Sequence, residues 1–259
     1  MLGAVASPVL DAHAVTRRLA RAGCVAAERE AAELLTRAPD PQVLGSWVAR
    51  REAGEPLAWI TGRTTFCGRP RRVDPGVYVP RPQTEALARR AADLLPLGGR
   101  AVDLCTGSGV VAAHLRDADR SASVVGVDIE PRAAACARRN GVPALVGDLD
   151  RALRTVAALD LVTAVAPYVP RAELELLPSD VRDHEPSAAH DGGHDGLVLV
   201  RRVVEAAGRL LRPGARLLVE LGGDQAARLE DDLDAAGFDD PETWQDAEGD
   251  LRGLVARRR

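Results

Sequence analysis

Three acidic residues stand at the ends of short apolar runs: Asp103 in AVDLCTGSGVVA, Asp128 in VVGVDIEP and Asp148 in VGDL. A carboxylate at a strand end can accept hydrogen bonds from the hydroxyl and amino groups of a bound ligand. Asp103 is followed by Thr106, Gly107 and Gly109, a turn that opens a helix. Glycine permits positive φ and close backbone approach, and a helix N-terminus presents free N–H groups. Written as GxGxxA, Gly107, Gly109 and Ala112 fit a dinucleotide fingerprint, so the loop alone does not separate a nicotinamide dinucleotide from another adenosine cofactor. Asp128 follows at about 20 residues, the spacing at which a carboxylate reaches ribose hydroxyls. Asp148, after the next strand, is placed to accept from an adenine amino group. Three carboxylates at successive strand ends, in register with one glycine loop, argue for a nucleoside pocket.

A second constellation is LVTAVAPYVP, an apolar strand that stops at Pro167, Tyr168 and Pro170. At its end stands Val165, which offers no polar atom to a substrate. Thr163 shares that strand face about 6 to 7 Å further back, and its hydroxyl is read as bonded to backbone. Tyr168 can cover a flat substrate or simply pack the loop. His184 could act as a base, but His184, His190 and His194 are read first as solvated loop histidines. Gly192, Gly193 and Gly196 read as a turn before a long helix.

These residues need a scaffold that brings strand ends together. From residue 84 onward helix and strand alternate: helices over 84–94, 110–115, 131–140, 197–211 and through 235; strands over 101–104, 123–127, 144–146, 159–165, 216–221, 242–244 and 251–256. Such alternation predicts an α/β fold with a doubly wound, mostly parallel seven-stranded sheet whose ligands sit beyond the strands' carboxyl ends. Residues 1–54 carry apolar positions three and four apart and predict a small helical domain of three helices, the third capped by Asp40 ahead of Pro41. Between them, 55–83 is rich in Gly and Pro with short β-prone runs, a hairpin linker able to form one wall of a pocket.

Composition narrows the chemistry. The 259 residues include 34 basic ones, all arginine, so Schiff-base chemistry, a phosphate-binding loop lysine and a Ser/Tyr/Lys hydride-transfer set are excluded. The four cysteines have no CxxC spacing, and no metal site is expected. A net charge of −4 and a pI near 5.8 argue against a protein devoted to nucleic acid. With no span-length apolar run and no targeting segment, a cytoplasmic location and no membrane association are expected; the sequence does not fix an oligomeric state, and a monomer is the expectation.

DLCTGSG with VDIEP and GDL resembles the class I S-adenosylmethionine methyltransferases. REAGEPLAWITGRTTFCG, VYVPRPQTE, EPSAAHDGGHDGL and DLRGLVARR are similar, more narrowly, to the HemK/PrmC-type protein-glutamine methyltransferases over nearly the whole chain. The resemblance implies S-adenosylmethionine as cofactor, a Rossmann-like sheet, and the GGQ loop of a peptide chain release factor as the protein substrate, grasped by the N-terminal helices. It implies that Asp103, Thr106, Gly107 and Gly109 cradle the methionine part of the donor, Asp128 and Ile129 the ribose side, and Asp148 with Leu149 the adenine. The Pro80 to Glu85 turn, with Pro80 and Arg81, would line the cleft. Where the family reads NPPY, with the Asn side chain and the next carbonyl accepting from the substrate amide, this chain has Val165, Ala166, Pro167 and Tyr168. That departure leaves two other outcomes open: the same fold acting on a different, small-molecule nucleophile, or a catalytically silent donor-binding protein.

Overall fold

A computed structural model describes residues 11–154 and 158–259. Residues 1–10 of the expected N-terminal domain lie outside the described residues. The first helices follow from caps and periodicity. In α1 (Ala12–Arg21) Asp11 accepts from the Ala14 N–H at 2.7 Å, and in α3 (Pro41–Glu52) Asp40 accepts from Val43 with Pro41 in the first turn. With α2 (Ala27–Arg37) they bury Val15, Leu19, Ala31, Leu34, Leu44 and Val48 in a core of their own.

The linker departs from its expected form. LAWIT, read as part of a β-prone run, is a short helix, α4 (Leu57–Thr61), because Ala58, Trp59 and Ile60 all find buried positions against the bundle and the segment that follows. The hairpin is β1 (Arg63–Phe66) and β2 (Arg69–Arg72), turned by Cys67 and Gly68, both at positive φ as a two-residue hairpin turn requires. Trp59 then donates its indole N–H to the Val77 carbonyl at 2.9 Å and fixes the chain that enters the larger unit.

Among the described residues the main sheet has seven strands in the order β5-β4-β3-β6-β7-β9-β8. Five are parallel: β3 (Arg100–Leu104), β4 (Ser123–Asp128), β5 (Ala144–Val146), β6 (Leu159–Ala164) and β7 (Leu211–Glu220). At one edge β9 (Leu251–Arg258) runs antiparallel to β7 and to β8 (Phe238–Gln245). On the faces lie α5 (Thr84–Leu94), α6 (Val110–Ala118), α7 (Pro131–Arg139), α9 (Val198–Leu210) and α10 (Glu230–Ala235), while the short α8 (Ser179–Arg182) belongs to a loop. Two apolar clusters fill the two sides: one includes Leu197, Val200, Val203 and Val204 of the α9 segment, the other Leu87, Ala91, Val111 and Leu115 of α5 and α6. The chain reverses its winding between β3 and β6, so a crevice opens beyond the carboxyl ends of these strands.

Candidate active site

A cavity of about 1000 Å³ runs from the crevice to the helical bundle. Its floor is the strand ends: Cys105 and Gly107 after β3, Asp128 and Ile129 after β4, Asp148 and Leu149 after β5, and Val165 to Val169 after β6. Its roof includes Cys24, Glu30 and Arg51 of the bundle, Val77, Tyr78 and Arg81 of the linker, and Val181 and His190 of the loop after β6. Arg51 ties the two sides, pairing with Glu30 at 2.7 Å and with Asp180 at 3.5 Å.

The glycine loop is held by the residue expected to meet the ribose. Asp128 accepts from the Gly107 N–H at 2.8 Å and from the Glu130 N–H at 2.9 Å, while its burial raises its carboxyl pKa. Gly107 has φ +57, and a Cβ built there would meet no atom within 4 Å outside its chain neighbours; it faces open space at the cavity wall. Gly109 does a different job and does not line the cavity. A Cβ there would stand 2.7 Å from the Ala137 Cβ, so this glycine lets α6 close on α7.

Asp103 lies beneath the loop, in a small side cavity that also touches Pro80, Thr84, Thr106 and Val165. Thr106 donates to one carboxylate oxygen at 2.6 Å and Thr163 to the other at 2.7 Å. The expectation that Thr163 bonds to backbone is therefore corrected: Asp103 and Thr163 are direct partners in the β3–β6 register, which brings their side chains together. Burial pushes the Asp103 carboxyl up to about 6, against the pull of the two threonine donors.

Asp148 is also engaged. Arg202 of α9 sits 2.7 Å from each of its carboxylate oxygens, so its acceptors are shared with a guanidinium that the sequence reading did not single out. Leu149 beside it is buried at φ +49, and Cys105 is at φ +55. Left-handed backbone at non-glycine residues costs energy, and of the four such residues among the described ones these two line the cavity. Ile129, large and exposed, presents an apolar edge at the mouth.

The 80–85 turn divides. Arg81 and Gln83 line the large cavity, Pro80 and Thr84 the small one. Glu85 faces away, accepting from the Cys67 N–H at 2.9 Å and pairing with Arg89 at 2.5 Å, so it is not part of the cleft. Arg81 stacks over Tyr78 at 5.1 Å and pairs at 2.7 Å with Glu185, an acid buried in the loop after β6. His190, expected in solvent, is buried: it packs against Tyr78 at 5.4 Å between ring centroids, and its Nε2 lies 3.3 Å from Glu185. His184 is also partly covered and stands beside Gly54, with Nδ1 buried and unpartnered. His194 is exposed as expected.

At the end of β6, Val165 is half-buried, lines both cavities and packs toward the α5 and α6 cluster. Ala166 is buried at the cavity wall, and among the described residues its carbonyl accepts no hydrogen bond. Tyr168 donates its hydroxyl at 3.1 Å to Glu220, the last residue of β7. RLLVE, an apolar strand ending in an acid, has the same form as VVGVD, and could have marked Glu220 from sequence. Arg202 and Gln225 lie in helical or turn segments whose pattern carries no such signal.

No protein-family model matches the sequence. Among solved structures, the 16S rRNA methyltransferase RsmC of T. thermophilus, in complex with AdoMet and guanosine, is similar over 76% of this chain and 44% of its own, with 20% identity and a TM-score of 0.52. TYW2 of M. jannaschii, in complex with AdoMet, is similar over 75% of this chain and 84% of its own, at 14% identity and a TM-score of 0.52. Both likenesses concern the fold, a Rossmann-like methyltransferase sheet. Sequence similarity goes further. The release factor glutamine methyltransferase of Geobacter sulfurreducens is 40% identical over 208 residues, 78% of this chain and 73% of that protein. That of Streptomyces coelicolor is 37% identical over 239 residues, 83% of this chain and 84% of that protein. Identity at this level over most of both chains shows that the protein belongs to the release factor glutamine methyltransferase family.

Proposed function

We propose that the protein transfers the methyl group of S-adenosylmethionine to the side-chain amide of the GGQ glutamine in a peptide chain release factor. The observation that carries this reading is the single cavity joining the strand-end carboxylates to the Val165 to Tyr168 loop and onward to the helical bundle. A donor cleft and an acceptor wall thus share one space.

The residues fit the donor. Asp128 has oxygens at the cavity wall for ribose hydroxyls, and Gly107 leaves room above the loop. Ile129 and Leu149 offer apolar edges to a base, with Asp148 and its partner Arg202 at the rim. An ionised Asp103 suits the ammonium of the methionine part. When bound, the donor supplies an electrophilic sulfonium methyl.

The protein's own part is positioning and electrostatic preorganisation. An amide nitrogen is a poor nucleophile because its lone pair is conjugated with the carbonyl, so acceptors must hold the NH₂ group with its lone pair toward the methyl. The free Ala166 carbonyl takes one N–H, and the Tyr168 ring walls the amide. Val165 takes none, and a lost buried partner of this kind costs about 1 to 3 kcal/mol, roughly a 5- to 150-fold slower transfer at 1.4 kcal/mol per decade. The helical domain of residues 11–54 closes the cavity and recognises the protein acceptor. The reading includes a monomeric cytoplasmic enzyme with no nucleic-acid partner; among the described residues no helix is long and apolar enough to cross a membrane.

Val165 is also the one observation that favours a second reading, the same chemistry on a different, less polar nucleophile. Labelled methyl transfer to a release factor, compared with the same factor carrying Ala for the GGQ glutamine, tests the first reading. Label that depends on the glutamine supports it; label in neither protein removes it.

A further inference from the structure

Tyr168 is gripped at both ends by residues at and just after the end of β7. Its hydroxyl donates to Glu220 Oε1 at 3.1 Å, and the other carboxylate oxygen accepts from the Thr84 hydroxyl at 2.6 Å. Its backbone carbonyl accepts from the Gln225 side-chain N–H at 2.8 Å, while Gln225 Oε1 accepts from the Gly222 N–H at 3.1 Å. Both Glu220 and Gln225 are buried. On the opposite side the loop is laced to the 190–193 segment: Val169 donates to the His190 carbonyl at 3.1 Å and Gly192 to the Val169 carbonyl at 2.9 Å. Gly196 completes the junction, since a Cβ there would stand 2.5 Å from the Tyr168 carbonyl oxygen and 2.7 Å from Gln225 Nε2.

Glu220 is a costly residue for this place. A buried carboxylate is tolerated only when its oxygens are satisfied, and an apolar residue at the end of a core strand is the cheaper solution for stability alone. Its two donors are the first residue of α5, next to the 80–83 turn, and the tyrosine of the acceptor loop. One carboxylate therefore ties the turn on one side of the cleft to the loop on the other. In a chain with valine at the strand end, orientation of the acceptor rests on the Ala166 carbonyl and the Tyr168 ring, so fixing that ring has consequences for rate.

We propose that Glu220 and Gln225 are positioning residues for methyl transfer, holding Tyr168 by its hydroxyl and its carbonyl as a rigid wall of the acceptor site. The role in transfer rests on the glutamine reading above; the clamp itself does not. Tyr78 and Tyr168 are the only tyrosines in the chain, so 3-fluorotyrosine labelling gives two fluorine resonances, assigned with Tyr78→Phe.

The test compares the wild-type protein with Glu220→Gln, Glu220→Leu and Gln225→Ala. The clamp predicts that the Tyr168 resonance shifts or broadens in Glu220→Leu and Gln225→Ala, and that in Gln225→Ala, which leaves the Glu220 charge near Tyr78 in place, the Tyr78 resonance keeps its position. It predicts single-turnover transfer to the release factor slower by about 10- to 100-fold in those two variants, the loss for a hydrogen bond to a charged or buried partner. Donor affinity stays within about twofold, and Glu220→Gln, which keeps an oxygen acceptor, recovers most of the rate. An unmoved Tyr168 resonance in a folded Gln225→Ala protein overturns the clamp, whether or not the leucine variant folds. Rate and donor affinity falling together, with Glu220→Gln no better than Glu220→Leu, overturns the positioning role. A wild-type protein that transfers nothing to glutamine removes the functional reading and the role in transfer with it, while the fluorine spectra still decide the clamp.

Discussion

The Thr163 hydroxyl donates to Asp103 Oδ1 at 2.7 Å across the β3–β6 ladder, inside a cluster where both residues are buried. A hydrogen bond to a charged group is worth about 1.5 to 3 kcal/mol. Thr163→Val keeps the shape and removes the donor, so the ionised form of Asp103 loses support. If that carboxylate holds the donor's ammonium, calorimetry should show S-adenosylmethionine binding weakened by about tenfold or more at neutral pH. Unchanged affinity would detach Asp103 from the donor site.

Asp103 also gives the stability a pH dependence of defined sign. Its carboxyl is raised from 3.8 to about 6 by burial, so the folded protein binds more protons than the unfolded chain between these values. This contribution is fully present below the unfolded value and is lost as pH rises through about 6, a change on the order of 3 kcal/mol. Asp103→Asn removes it. Urea unfolding at a series of pH values should show the variant gaining on wild type as pH rises from about 4 to 7. Parallel curves for the two proteins would contradict the burial argument. At neutral pH the same variant should bind donor less well, separating stability from function.

Asp128 braces the glycine loop, and in the proposed donor site it faces the ribose. Asp128→Ala should weaken donor binding by roughly 1 to 3 kcal/mol, partly through the lost bond to the Gly107 N–H. Calorimetry on a folded variant checks this, and an unchanged dissociation constant would remove the ribose assignment.

Val165→Asn returns an acceptor to the strand end beside the free Ala166 carbonyl. Under the glutamine reading, transfer to a GGQ glutamine rises by about one to two decades at unchanged donor affinity. Under the second reading, the Asn buries a polar group without a partner, at about 1 to 3 kcal/mol, and gains nothing on glutamine. Single-turnover rates for the pair of proteins separate the two.

Much of this architecture is legible from local pattern. Asp40 before Pro41 marks a helix start, and GxG after a strand marks the loop above Asp103, because caps and positive φ leave their residue types in the sequence. What escapes is set by tertiary placement. LAWIT is β-prone by composition, yet forms α4 where three successive side chains can all be buried. His190 reads as a loop histidine until Tyr78 and Glu185 close around it. Arg202 faces Asp148 only because α9 packs against the 149–152 turn that follows β5. Gly109 and Gly107 look alike in sequence, but one packs helices and the other faces open space at the cavity wall.

The most direct measurement is peptide mass mapping of a release factor incubated with the wild-type protein and S-adenosylmethionine. The account predicts a single added methyl group on the peptide containing the GGQ motif, placed on its glutamine by fragmentation and absent without donor. Donor that binds with no methyl on that glutamine, or a methyl placed on another residue, would contradict it.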